Sequence, residues 1–349
     1  MRAVQLVEWG APPEVREIDD PEPIGAELVL SVDAAGLCLS DIHVMDSGAG
    51  IFDYPLPLTL GHETAGTVVG AGPSADSSWL GRRVVVHGIW ACRRCRNCRR
   101  GRENYCLHLA RVPGEPLPRI GNGLGHHGGL AEKLLVPSDE VLVPTGDLDP
   151  GLAAPLADAG LTAFHAIRMN LDVVDESTVA VVIGVGGLGH MAVQILSALG
   201  VSAVIAVDQR PDAQALASTL GCISAHASVD EARPAVRGLG GADLVLDFAG
   251  APSTVETSLE LLGPGGRLVV VGTAGGRVLV GKDLGLAQGW QVGAPFWGTR
   301  SDLSAVVELA AAGRLSAETV EFTLEDAPRA YELLRRGEVA GRAVVRPNG

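Results

Sequence analysis

The hydrophobic positions of the first 150 residues fall in short runs broken by glycine and proline. ELVLSVDAAG (27–36), AGTVVGAG (65–72), RRVVVHG (82–88) and KLLVPSDEVLVP (133–144) are of this kind. No long helical period interrupts them, so residues 1–150 are expected to form a β-rich domain. Near residue 150 the pattern changes. TVAVVIGVGGLGHMAVQILSALG (178–200) reads as a buried strand, a glycine-rich turn and a helix. SAVIAVD (202–208) is a strand and RPDAQALASTLG (210–221) a helix. ADLVLDFAG (242–250) and GRLVVVGT (266–273) are strands on either side of a helix, PSTVETSLELLG (252–263). Strands alternating with helices imply a parallel sheet, so 151–295 is expected to be a doubly wound α/β domain. The remainder, 296–349, mixes helix (302–312, 325–336) and strand (319–323, 342–346).

Composition narrows the function classes. The 349 residues include 46 glycines and carry a net charge of −14. That charge opposes non-specific binding to nucleic acid or anionic membranes. No apolar run reaches the roughly 18 residues of a membrane span. Met1 leads directly into a strand-like segment without a signal-peptide pattern, which predicts a cytoplasmic protein. Residues 266–281 are a candidate source of edge strands for a homodimer.

The cysteines cluster. CRRCRNCRRGRENYC places Cys92, Cys95, Cys98 and Cys106 on one loop with C-x2-C-x2-C-x7-C spacing. Four thiolates in that arrangement enclose a tetrahedral zinc with no open position. An iron–sulfur cluster is the competing metal, but the bacterial ferredoxin run continues with a gap of three and Cys-Pro. Here the gap is seven and Leu107 follows Cys106. Six arginines on the loop suggest a nucleic-acid zinc module, a reading the acidic chain disfavours.

A second motif is G-x-G-x-x-G at Gly184, Gly186 and Gly189, with Gly187 and Leu188 between. It follows an apolar strand and opens a helix, the context a dinucleotide site requires. Gly184 permits the tight turn, Gly186 lets a pyrophosphate approach, and Gly189 lets the helix pack on the strand. Asp208 ends the next strand. A carboxylate there accepts both adenosine ribose hydroxyls and repels a 2′-phosphate, which favours NAD over NADP. Arg210, two residues on, softens that preference.

The remaining chemistry lies in GLCLSDIH (36–43), GHETAG (61–66) and PLADAGLTAFHA (155–166). Cys38 and His62 are metal-ligand types, Glu63 adjoins His62, and Asp158 stands alone among small apolar residues. A carboxylate in such company is costly to bury unless paired or metal-bound. As a helix cap or a solvent-facing group it would have no such role.

Taken in order, Gly36–His43, Gly61–Gly66, the four-cysteine lobe, ADAGLTAF and VGGLG resemble the zinc-dependent medium-chain alcohol dehydrogenases along essentially the whole chain, most closely the bacterial NAD-dependent secondary alcohol dehydrogenases. The resemblance implies a GroES-like catalytic domain carrying both zincs and a Rossmann domain binding NAD, with the cofactor in the cleft between. It implies Cys38, His62 and Asp158 as catalytic zinc ligands, Asp158 replacing a cysteine common in the family. Glu63 lies behind the zinc, replaces its water transiently, or supports the site structurally. Ser40 is implied to hydrogen-bond the alcohol oxygen, and His43 to receive the proton by way of the nicotinamide ribose. Thr162 is implied beside the nicotinamide, Leu188 near the phosphates, and Arg342 on the pyrophosphate. Tyr54 and Trp297 fall at pocket positions, and Arg300 where it helps close the site or forms a surface ion pair. Leu39 and Ala213 depart from the family by replacing basic residues, and His126 and His127 have no assigned role. The implied partners are a small alcohol or ketone and further copies of the chain, as homodimer or homotetramer. Zinc polyol or amino-alcohol dehydrogenases, and a catalytically silent NAD-binding protein, are the rival readings.

Overall fold

The structure, a computed structural model, describes residues 1–339 and 341–349. The chain forms two compact units. One comprises Met1–Leu161 with Thr299–Gly349, and the other Thr162–Gly298. These boundaries differ from the expected 150/151 and 295/296. The helix Pro150–Pro155 and the turn after it pack on the strands of the first unit, with Ala153 and Ala154 buried against Ala34, Ala65 and Val344. The division therefore falls past them, at residue 161.

The main sheet of the first unit runs Leu142–Pro144, Arg83–Val86, Glu63–Ala71, Leu28–Gly36, Arg342–Arg346, Thr319–Thr323, and Lys133–Val136 also pairs with Leu28–Gly36. Leu28–Gly36 is buried along nearly its whole length, with only Ser31 and Asp33 partly exposed. It is the central strand because it has neighbours on both edges. Its antiparallel register with Glu63–Ala71 sets Gly36 opposite Glu63. The last strand, Arg342–Arg346, aligns Val344 with Gly36.

One element departs from the sequence pattern. Leu39–Asp46 is a short helix in the β-rich region, where the sequence shows no long helical period. Its N-terminus is capped in reverse, the backbone N–H of Cys38 donating to Asp41 Oδ2 at 3.1 Å. An acid three residues inside a helix start satisfies one of the orphan donors there. Ile42, Val44 and Met45 are buried while Ser40 and His43 face outward.

In the second unit the sheet order is Ser224–His226, Ala203–Val207, Val179–Ile183, Ala242–Asp247, Leu262–Val270, Gln291–Gly293, all pairs parallel. Val179–Ile183 is entirely buried, as a strand covered on both faces must be. The helices Gly189–Ala198, Pro211–Thr219, Val229–Gly238 and Pro252–Ser258 follow the strands in alternation. Two expectations are corrected here. The helix expected over 252–263 ends at Ser258, and strand begins at Leu262. The strand expected at 266–273 is internal, so the sheet's free edge on that side is Gln291–Gly293 instead.

The glycine-rich turn shows why glycine is required. Gly184 has φ +83°. A Cβ on Gly189 would lie 1.9 Å from the Gly184 carbonyl oxygen, because the helix start presses on the strand end. Gly189→Ala should therefore destabilise the second unit by roughly 1–3 kcal/mol, the usual cost of overpacking. Gly238→Ala, with nothing within 4 Å of its added Cβ, should be neutral or slightly stabilising. Thermal unfolding of both variants checks the contrast; equal midpoints would refute it.

Candidate active site

The candidate catalytic centre lies wholly in the first unit. Cys38 ends the turn leaving Leu28–Gly36, and His62 and Glu63 open the neighbouring strand. Gly61, at φ +94°, turns the chain into His62. Asp158 comes from a π-helical turn, Leu156–Gly160, set between the helices Pro150–Pro155 and Leu161–Arg168. Pro155 has no N–H to continue the α-helical ladder, and the register changes there, with Leu161 N–H reaching back five residues to Leu156 C=O.

These turns bring the ligand atoms together. Cys38 Sγ lies 3.5 Å from Asp158 Oδ2, and His62 Nε2 lies 3.6 Å from the same oxygen. With a carboxylate oxygen of Glu63, the donor atoms all fall within 4.8 Å of one another. Bonds of about 2–2.3 Å to a tetrahedral zinc separate the ligands by roughly 3.3–3.8 Å, so a thiolate, an imidazole and a carboxylate at these spacings suit that ion. Glu63 Oε2 is buried without a hydrogen-bond partner. A buried acceptor left so is costly unless a cation faces it.

Around the donors lies a shell of buried charge. Asp41 accepts from His62 Nδ1 at 2.8 Å through Oδ1, which fixes that nitrogen as the donor and leaves Nε2 its lone pair. Its other oxygen accepts from Cys38 N–H and, at 2.9 Å, from the Tyr331 hydroxyl. Burial works to lower the His62 pKa, but the Asp41 charge and the hydrogen bonds to Asp158, Asp41 and Cys38 together outweigh it and raise it. Burial pushes the Glu63 carboxyl up, against the opposing charge of Arg342.

Arg342 has a contact its sequence context did not signal: it is buried and ion-paired with Glu63 in the same unit. Gly36 makes room for that pair, since a Cβ there would lie 2.0 Å from Glu63 Oε2. Ser40 and His43 are exposed, three residues apart on the helix Leu39–Asp46 and hence on one face. Ser40 Oγ lies 3.6 Å from Cys38 Sγ. Leu39 is exposed at the start of that helix.

The four-cysteine loop closes on itself. Cys95 Sγ is 3.4 Å and Cys92 Sγ 3.9 Å from Cys98 Sγ, and Cys92 N–H points at Cys106 Sγ from 3.5 Å. Backbone N–H groups of Cys98 and Leu107 pull the Cys95 thiol down to about 6, favouring the thiolate a metal needs. Arg300 is engaged within the first unit. Its N–H donates to Glu103 Oε1 at 2.7 Å and its guanidinium to Leu142 C=O, tying the helix Arg300–Ala311 to the lobe. Tyr54 is buried beside Phe52, their ring centroids 4.7 Å apart. His126 stacks on Trp90 with centroids 4.9 Å apart, and His127 Nδ1 accepts from Thr59 N–H.

In the second unit Gly184, Gly186, Gly187 and Leu188 lead into the helix Gly189–Ala198. No side chain caps its N-terminus, which is a helix start of the kind that faces a phosphate. Gly186 is open: the nearest atom to an added Cβ is an Arg210 nitrogen at 3.9 Å. His190 Nδ1 lies 2.8 Å from Gly186 C=O and braces this turn, a role its sequence context did not signal. Asp208 is less free than expected. Oδ2 accepts from Val185 N–H at 2.9 Å, and the Arg210 side chain reaches both carboxylate oxygens at 3.2 Å. Ala213 is buried against Val185, Ala206 and Ala217, which explains why no basic residue stands there. Thr162 is buried on the helix Leu161–Arg168, and Trp297 is buried with φ +51°.

Comparison with known proteins agrees with this geometry. Residues 25–147 match the alcohol dehydrogenase GroES-like domain and residues 187–312 the zinc-binding dehydrogenase domain. The chain belongs to the zinc-dependent, medium-chain alcohol dehydrogenase family. It is 33% identical to an NAD-dependent alcohol dehydrogenase of Sulfolobus acidocaldarius over 99% of both chains. It is 32% identical to D-arabinose 1-dehydrogenase (NADP(+)) of Saccharolobus solfataricus, over 99% of this chain and 97% of that one. Acetophenone reductase from Geotrichum candidum, solved with NAD, superposes with a TM-score of 0.84 at 26% identity, covering 99% of this chain and 97% of the other. Two groups of residues are suited to zinc, Cys92/Cys95/Cys98/Cys106 and Cys38/His62/Glu63/Asp158, and NAD is the cofactor of the family relatives that are named for it. Among the described residues no helix is long and apolar enough to cross a membrane.

Two outcomes are expected. Cys95→Ser should lower the zinc count by one and the unfolding temperature with it, because a closed metal site contributes folding energy; metal analysis beside calorimetry measures both. Asp208→Ala should weaken NAD binding about tenfold or more and move the kcat/KM ratio toward NADP, since a charge-assisted hydrogen-bond acceptor is lost. Arg210→Ala should do the opposite by releasing the carboxylate. A ratio unmoved in both variants would remove Asp208 from cofactor selection.

Proposed function

We propose that the chain interconverts small secondary alcohols and ketones with NAD, using Cys38, His62 and Asp158 as ligands of a catalytic zinc. Cys92, Cys95, Cys98 and Cys106 hold a structural one. The observation that carries this is the convergence of Cys38 Sγ, His62 Nε2 and Asp158 Oδ2 beside the Ser40 hydroxyl. When bound, the zinc acidifies the substrate alcohol and NAD accepts the hydride. The residues supply the rest. Ser40 Oγ takes the alcohol proton, and His43, one turn along, accepts it from the relay and passes it to solvent. Asp158 contributes one negative charge through a hard oxygen where relatives with cysteine contribute sulfur. Glu63, anchored by Arg342, stands behind the ligands as a further acceptor. Arg210, paired with Asp208, softens rather than abolishes the preference for NAD. The ketone side of the reaction is supported by the likeness to a reductase named for acetophenone.

We further infer a homo-oligomer. The edge strand Gln291–Gly293 has an exposed Val292, and Leu279 and Val280 are also exposed, a combination suited to pairing with a second copy.

Asp158 supplies the decisive experiment. Asp158→Asn removes the charge and keeps the shape, so it should lose one zinc and about a hundredfold or more in activity. Asp158→Cys restores charge and a ligand, so it should keep both metals and part of the activity. Each variant is assayed for zinc and for NAD reduction with 2-propanol, 2-butanol, 1-phenylethanol, ethanol, sorbitol and D-arabinose. Two zincs and full activity in Asp158→Asn would sink the ligand assignment. Faster turnover of sorbitol or D-arabinose than of any secondary monoalcohol would redirect the substrate class to polyols and sugars.

A further inference from the structure

The helix Ala327–Arg335 lies about 290 residues along the chain from the helix Leu39–Asp46, yet it holds it by two polar contacts. Tyr331 donates its hydroxyl to Asp41 Oδ2 at 2.9 Å. Arg335, one turn on, pairs with both carboxylate oxygens of Asp46, Nη2 reaching Oδ1 at 2.8 Å. The two contacts differ in setting. Asp46 and Arg335 are each about half exposed, where an ion pair contributes little. Asp41 and Tyr331 are buried at 0% and 3% exposure, so water cannot replace a lost hydrogen bond there.

Asp41 serves three donors with two oxygens. Oδ1 takes His62 Nδ1, and Oδ2 takes Cys38 N–H and the Tyr331 hydroxyl. Cys38 and His62 are both ligands in the reading above, so one carboxylate orients two of them. A carboxylate is free to rotate about its Cβ–Cγ bond unless both oxygens are held. The Cys38 N–H bond, at 3.1 Å, is the longest of the three. The Tyr331 hydroxyl, on a ring fixed by packing, is the contact that comes from outside the ligand segments. It stops the carboxylate from turning and so fixes the direction of the His62 ring.

We propose that Tyr331 is a positioning residue for the catalytic zinc, acting through Asp41 on His62 and Cys38. The proposal rests on the ligand assignment of the preceding subsection. Partners that orient metal ligands are typically worth 10–100-fold in metal affinity. Tyr331 acts one step further out, so the lower end of that range is expected.

The test follows zinc release from the purified holoprotein into excess chelator, with the four-cysteine zinc as internal reference. Tyr331→Phe keeps the ring and removes only the hydroxyl. It should release the catalytic zinc about tenfold faster and leave the other zinc in place in a folded protein. In the cobalt-substituted protein its visible ligand-field spectrum should shift. Asp46→Asn breaks the Arg335 contact between the same two helices and should release zinc as the wild type does. In an Asp41→Asn background the Tyr331→Phe change should add little, because the intermediary is already altered. Wild-type release rates and an unshifted cobalt spectrum in Tyr331→Phe would overturn the proposal. So would equal labilisation by Asp46→Asn, which would reduce Tyr331 to one of two helix ties. Loss of both zincs together, or failure to fold, would make Tyr331 a residue of the fold and would overturn it too. If the wild type itself carries only the four-cysteine zinc, the ligand assignment fails instead, and the two failures are thereby distinguished.

Discussion

Concentrated negative charge without water is the constraint around which the first unit is built. Asp41 and Glu63 are fully buried, Asp158 nearly so, and Cys38 adds a thiol among them. The Arg342 guanidinium is a cation packed on this group, and the His62 imidazole adds a hydrogen bond to Asp41. Taking a carboxylate out of water is expensive unless its charge is matched and its lone pairs are used. Asp41 meets that condition with three donors. Glu63 meets it with one oxygen on Arg342 and leaves the other unpartnered. A divalent cation held by Cys38, His62 and Asp158 completes the balance. The chemistry and the stability of this region therefore have one origin, since the ion that would activate a substrate also neutralises the core.

That charge is delivered by ordinary devices of backbone geometry. Strand register sets Glu63 opposite a residue with no side chain, Gly36, so that Arg342 can reach across from the next strand. A proline ends one helical ladder and a π turn re-aims the residue three positions later. Neither device is chemical in itself. Each fixes where a donor atom points, and several such fixings make a ligand set. In the second unit the same economy appears at the nucleotide turn. Its conformation is set by Gly184 and Gly189 and braced by His190 through the Gly186 carbonyl.

Much of this was readable in the sequence, for reasons that separate what was found from what was missed. The buried parallel strands announce themselves as continuous apolar runs, and Val179–Ile183 and Ala203–Val207 lie where such runs predict. The four-cysteine group and the glycine turn were legible because their ligand types and spacings are local, whereas Cys38, His62 and Asp158 are far apart in sequence and were joined only by the family resemblance. The helix Leu39–Asp46 was not, being eight residues long with a stripe too short to show a period. Asp41 sat inside a quoted motif, but its task depends on His62 and on Tyr331, far off in sequence. The Arg342–Glu63 pair was not legible, because nothing near Arg342 in sequence points to the glycine opposite Glu63. The unit boundary moved from 150 to 161 because the helix Pro150–Pro155 is small-residued and buries itself on the β-rich side.

The strand Arg342–Arg346 lies between Leu28–Gly36 and Thr319–Thr323, in the interior of its sheet. During synthesis this has a direct consequence. Thr162–Gly298 is contiguous and can close its own sheet as soon as it leaves the ribosome. The other unit begins earlier and must finish later. Its central strand keeps part of an edge open, and Glu63 waits without its arginine, until Thr299–Gly349 has been made. An unpaired central edge on a nascent chain is a hazard for aggregation. The centre that would carry the chemistry thus needs a strand translated after the whole of Thr162–Gly298, although its ligands all precede that unit.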